Sequence, residues 1–210
     1  MKDLSNPLGI RERKRAETHA RIQAEAMRLF LERGFEAVTL DDIASAADVS
    51  RRSLFHYFES KEEIVFSTKA KFPQLVVEAI NRRPADEPLI DMVENAMIEM
   101  ATLHIPAQTR NYARLIRDTP ALRAGDQAKY EYVERLSAKT LAARKGLSEN
   151  DIACRVIAAT AIGIIKLATE AWLTKGGPKL DVFIKDAFAA LRGVAAVDDR
   201  PSAAKRTRRR

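Results

Sequence analysis

The chain is poor in the residues that several ways of building or using a protein require. Among 210 residues there is one cysteine, Cys154, so no intrachain disulfide can form and a reducing, cytoplasmic setting is the simplest expectation. Histidine occurs only at His19, His56 and His104, without the paired spacing of a metal site, and no metal or other cofactor is expected. There is no GxSxG elbow and no phosphate loop of P-loop type, so an enzyme, the rival class, has no recognisable chemical centre. The longest uninterrupted apolar run, Val156 to Ile165, stops at Lys166, short of the roughly 18 to 20 residues that span a bilayer, and no membrane partner is expected. The opening "MKDLSNPLGIRERKR" lacks the apolar core of a signal peptide. The eight glycines are scattered, and no Asn-Gly or Asp-Gly turn separates alternating runs, which removes the usual hairpin signals.

What is present favours helix and a sizeable core. Hydrophobic residues make up 46% and charged residues 31%. The net charge of +7 is uneven: 1–72 carries +1, 73–197 carries +2, and the last thirteen residues carry +4. A second basic run, "RERKR" at 11–15, precedes the first periodic segment. The expected fold class is all-α, with about nine helices. Ile22, Ala26, Leu29, Phe30 and Phe35 mark an amphipathic first helix that Gly34 can end in a left-handed conformation. Pro88 opens a helix with Leu89, Met92, Val93, Ala96, Met97 and Met100 on one stripe. Pro106 opens another, and Thr119 with Pro120 starts one running to Gly146. "SEND", Ser148 to Asp151, has a capping-box pattern ahead of a long apolar helix through Trp172 that "KGGP" at 175–178 stops. A last amphipathic helix carries Leu180, Phe183, Ile184, Ala187, Phe188 and Leu191. The closing residues have no apolar periodicity and read as disordered.

One stretch breaks its helices unusually often: "TLDDIASAADVSRRSLFHYFESKEEI", residues 39–64. Thr39 with Asp42 starts a short helix whose buried side is Ile43, Ala44 and Ala47. Asp48 occupies the turn, where a left-handed backbone suits Asp better than most side chains. Ser50 can cap a second short helix, near 51–58, anchored by Leu54 and Phe58, and Ser60 with Glu63 launches a longer one. Two short helices, a tight turn and a basic start to the second make a helix-turn-helix. Its second helix can enter the major groove and present its first residues to base edges. His56, taken by itself, reads as a surface or packing residue.

This stretch, preceded by "RLFLERGFEAV", resembles the DNA-binding domain of the TetR family of bacterial one-component regulators over residues 12–72. Asp48 stands where that family more often has Gly, and Arg52 and Phe55 also differ from frequent choices, so no operator sequence transfers. The resemblance implies that Arg51, Arg52 and Ser53 face base edges, with arginine most suited to guanine. It implies that Phe55 packs on sugar or a thymine methyl, that Thr39, Tyr57 and Lys61 contact phosphates, and that Ser50 and His56 belong to the same surface. "RERKR" would add charge beside the duplex.

Residues 73–195 then form a helical ligand-binding and dimerisation domain, and 196–210 a disordered basic tail. The 149–174 helix is apolar on more than one face, as a helix buried both within a subunit and against its twin would be. The family's usual four-helix dimer interface agrees. The family also carries a small-molecule pocket, for which Met97, Met100, Leu103, Tyr112, Leu115, Ile116 and Trp172 are the candidates; each also reads as plain core. "RNYARLIRDTPALRA" is similar to a subgroup typified by mycofactocin-system regulators, described as having an acyl-CoA-like ligand domain. Arg110, Arg114 and Arg117 share a helix face that suits a phosphate-bearing ligand, or is simply solvated. The expected protein is a homodimeric repressor on a double-stranded, pseudo-palindromic operator, released by a small apolar inducer, a fatty acyl-CoA or another long ligand. An activator, or a DNA-binding protein without an inducer, is the alternative. Pro73, within or at the end of the helix launched at Ser60, is expected to bend it and set a lever angle.

Overall fold

The caps anticipated from Thr, Ser and Gly are where the chain changes direction. In the computed structural model, which describes residues 9–103, 109–176 and 179–198, there are ten helices and no strand among the described residues. They are α1 (Ile10–Arg33), α2 (Leu40–Ala46), α3 (Arg51–Phe55), α4 (Lys61–Ser67), α5 (Phe72–Asn81), α6 (Leu89–Leu103), α7 (Thr109–Asp118), α8 (Pro120–Lys145), α9 (Ile152–Lys175) and α10 (Leu180–Asp198).

The helix beyond the count of nine comes from the segment launched at Ser60. It ends at Ser67, and amide-to-carbonyl bonds spanning three residues, Lys69 to Phe66 and Phe72 to Lys69 among them, lead into α5. Pro73 is the second residue of α5. In a helix's first turn a missing N–H deprives nothing, so Pro73 begins a helix instead of bending one. Three further differences are local. "RERKR" lies inside α1, not ahead of it. The cap of α9 is Asp151, whose carboxylate accepts from the Cys154 amide at 3.0 Å, not Ser148. Helix α10 continues to Asp198, past the expected start of the tail at 196. The tail beyond it, Pro106 and the third and fourth residues of "KGGP", Gly177 and Pro178, lie outside the described residues.

The chain folds as two compact units, Met1–Pro73 with Pro106–Glu131, and Gln74–Ile105 with Tyr132–Arg210. The first boundary falls between Pro73 and Gln74, and α7 and the start of α8 rejoin the first unit. The reason is burial. Ile22, Phe30, Ile43, Leu54, Phe58 and Ile64 form a core that Tyr112, Leu115, Ile116 and Leu122 complete. Three short helices on one longer one offer too little apolar surface for a secure domain of this size. In the second unit α6, α9 and α10 pack on one another. By length and composition α9 is apolar enough to cross a membrane. Its buried line, Cys154, Ala158, Ala161, Ile164, Ala168 and Trp172, belongs to the packed bundle.

Candidate nucleic-acid interface

The short helix α3 is positioned from both ends. The Ser50 hydroxyl accepts from the Ser53 amide at 3.1 Å and so caps it. Asp48 takes φ +50°, the left-handed backbone that the turn from α2 needs. Leu54 and Phe58 are buried to 0% and 1% exposure, each stabilising the packing by about 1.5–3 kcal/mol. Phe58 stacks on His19 of α1 with ring centres 4.6 Å apart. With those anchors inside, Arg51, Arg52, Phe55 and His56 are exposed and Ser53 and Tyr57 half-buried. The helix itself stops at Phe55, earlier than position 58, because the Tyr57 and Phe58 amides both turn back to the Leu54 carbonyl.

Helix α2 is fixed by a reciprocal cap. The Thr39 amide donates to the Asp42 carboxylate at 2.9 Å, and the Asp42 amide donates to the Thr39 hydroxyl at 3.1 Å. The Thr39 hydroxyl and amide, with Arg33 beside them, hold the Asp42 carboxyl below its ordinary range. Lys61, expected at a phosphate, has its ammonium 2.8 Å from the Phe35 carbonyl oxygen and 4.3 Å from the centre of the Phe35 ring. A second carbonyl, Val38, lies at 3.4 Å. Lys61 therefore braces the α1–α2 loop, and the Glu36 carboxylate lies 3.9 Å from the same ammonium.

Beside α3 lies an open concavity of about 550 Å³, lined by Arg15, Thr18 and Arg21 from α1 with Val49, Ser53, His56 and Tyr57. Here the structure brings together residues that the sequence left apart. Arg15 was legible as part of a basic run; Thr18 and Arg21 were not. They follow Arg15 at three-residue steps beside buried Ile22, so a helical projection shows the stripe. Nothing local says which element lies next to it. The seven residues considered for ligand binding are divided. Tyr112, Leu115 and Ile116 belong to the core of the first unit, Met97, Met100 and Trp172 to the second, and the Leu103 side chain lies outside the described residues.

Sequence families settle what this geometry belongs to. A model of the bacterial regulatory proteins of the tetR family matches residues 22–68, and one of the MftR C-terminal domain matches residues 87–196, over half of the chain. The chain belongs to the TetR family. Its likeness extends to the putative mycofactocin biosynthesis transcriptional regulator MftR of Mycobacterium tuberculosis, 32% identical over 84% of this chain and 90% of that protein. It is 28% identical to the HTH-type transcriptional regulator TcmR of Streptomyces glaucescens, over 89% and 88%. Among solved structures, a putative TetR-family regulator from Syntrophomonas wolfei superposes with a TM-score of 0.65 at 15% identity, covering 90% of this chain and all of that one. NalD of Pseudomonas aeruginosa does so with 0.57 at 21%, over 86% and 97%. At such identities the likeness concerns the fold. This TetR-family chain is accordingly a transcriptional regulator that binds DNA through its helix-turn-helix, and not an enzyme.

Proposed function

We propose that this TetR-family chain is a homodimeric, cytoplasmic repressor that reads a pseudo-palindromic operator and leaves it on binding a small apolar effector. The observation that carries the DNA half is the exposed start of α3, with Arg51 and Arg52 outward and Ser53 half-buried beside them over buried Leu54. In this reading the two arginines reach base edges, while Thr39, Tyr57 and the arginines of the concavity, Arg15 and Arg21, take phosphates. Dimerisation is supported by α9 and α10. Ile152, Val156 and Leu167 on α9 and Val194 on α10 are all more than half exposed, an apolar surface of the kind that protein contacts cover. A twofold pair would hold its recognition helices about one DNA turn, roughly 34–36 Å, apart.

An effector that favours a dimer of another spacing would lower operator affinity by about 5- to 150-fold. The resemblance of "RNYARLIRDTPALRA" to the subgroup with an acyl-CoA-like ligand domain favours a long apolar ligand, with fatty acyl-CoA the first candidate. Selecting genomic fragments with the purified protein gives the operator. Arg51→Ala with Arg52→Ala should then abolish preference for those fragments over random duplex. Retention of that preference would sink the reading, and release by no acyl-CoA would remove the ligand assignment alone.

A further inference from the structure

Helix α2 carries two adjacent acids in its first turn, and only one of them closes the cap. Asp42 closes the cap at Thr39. Asp41 has one polar side-chain partner among the described residues, the Arg51 guanidinium, whose Nη1 donates to Oδ2 at 2.5 Å. Both side chains are 60% exposed, and a pair so open to water adds little to stability. A carboxylate placed at a surface that faces phosphates also weakens binding to any duplex. Asp41 therefore stands against affinity, and its place in the first turn of α2 gives the fold only about 0.3–1 kcal/mol, which leaves specificity.

Arg51 is held on a second side. Its guanidinium carbon lies 5.7 Å from the centre of the Phe55 ring, one turn further along α3. Gripped by an acid on α2 and an aromatic on α3, the guanidinium keeps its Nη2 and Nε edge for a partner. A guanidinium edge so placed matches O6 and N7 of guanine. We propose that Asp41 is a specificity-determining residue: it fixes the Arg51 side chain before DNA arrives and lowers the affinity for duplexes that offer Arg51 no guanine. This rests on the operator reading proposed above.

The experiment compares full-length wild type, Asp41→Ala, Arg51→Ala and the double variant on three duplexes. These are the selected operator, the operator with each guanine in its half-sites changed in turn, and random DNA. Releasing a long side chain that must be ordered again on binding should cut the preference for operator over random DNA about two- to tenfold in Asp41→Ala. Affinity for random DNA should rise in the same variant, most at low salt. In the Arg51→Ala background the Asp41 change should leave the preference where Arg51→Ala put it. An Asp41→Ala protein with unchanged preference, or one whose loss is as large without Arg51 as with it, overturns the inference while the operator reading stands. A wild type that prefers no sequence overturns both. Unfolding midpoints of all four proteins, expected to agree within the about 1 kcal/mol that a first-turn carboxylate contributes, show that folding is not what changed.

Discussion

Gly125 sits within α8, where a glycine costs about 1 kcal/mol relative to alanine. The structure shows what the position gains. A Cβ built there would meet the Phe66 ring of α4, with Cζ at 2.6 Å and Cε2 nearer still. Ordinary carbon contacts begin near 3.5 Å, so the ring or the helix would have to yield by about 1 Å. Phe66 packs against the core that includes Ile64 and Val65, which limits how far the ring can swing. Overpacking of this kind costs about 1–3 kcal/mol, and the gain in helix propensity returns about 1. Gly125→Ala should therefore lower stability by up to about 2 kcal/mol, or up to roughly 8 °C in melting temperature for a chain of this length. In a Phe66→Ala background the obstruction is gone, and the same change should stabilise by about 1 kcal/mol. Urea unfolding of the four proteins, followed by far-ultraviolet circular dichroism, measures both numbers. A native-background Gly125→Ala that is more stable than wild type would refute the steric argument.

Other expectations concern the interface and its supports. Leu54→Ala should destabilise by about 2–5 kcal/mol, because the side chain is wholly buried, and should erase sequence-selective binding before nonspecific binding; unfolding and filter-binding assays read the two effects. Lys61→Met should loosen the α1–α2 loop by freeing the Phe35 and Val38 carbonyls, seen as faster amide exchange there, with a stability loss of about 1–3 kcal/mol. The Asp42 carboxyl, held low by Thr39, contributes stability that is present above the ordinary carboxylate value near 4 and is lost as pH falls through its own lower one. Asp42→Asn should flatten that part of an acid-unfolding curve. Leu167→Glu or Val156→Glu places a charge on the exposed face of α9 and should shift sedimentation from dimer toward monomer without lowering helix content.

Most of the helix order was legible because each boundary has a local cause. Thr39, Ser50 and Ser60 cap, Gly34 and Gly146 take positive φ, and Pro120 opens α8. Such signals act over three or four residues, so the sequence displays them. What it hid was partnership. The split between α4 and α5 depends on a tight turn at 68–71 with neither glycine nor proline inside it. Arg21 joins the concavity only once α3 lies beside α1. Tyr112, Leu115 and Ile116 satisfy any apolar environment, and their periodicity cannot distinguish a ligand cavity from the core they complete. Asp41 and Arg51, ten residues apart on different helices, belong to no helical spacing that a scan would test.

Because the first unit recruits α7 and the opening turns of α8, the DNA reader is not a detachable cassette. A fragment ended after Pro73 would leave the faces that Leu115, Ile116 and Leu122 cover bare to water and prone to aggregate. Engineers who wish to graft this reader onto a foreign sensor must transplant the stretch through Glu131 with it. Swapping sensors at the first linker alone is the shorter route to an insoluble chimera.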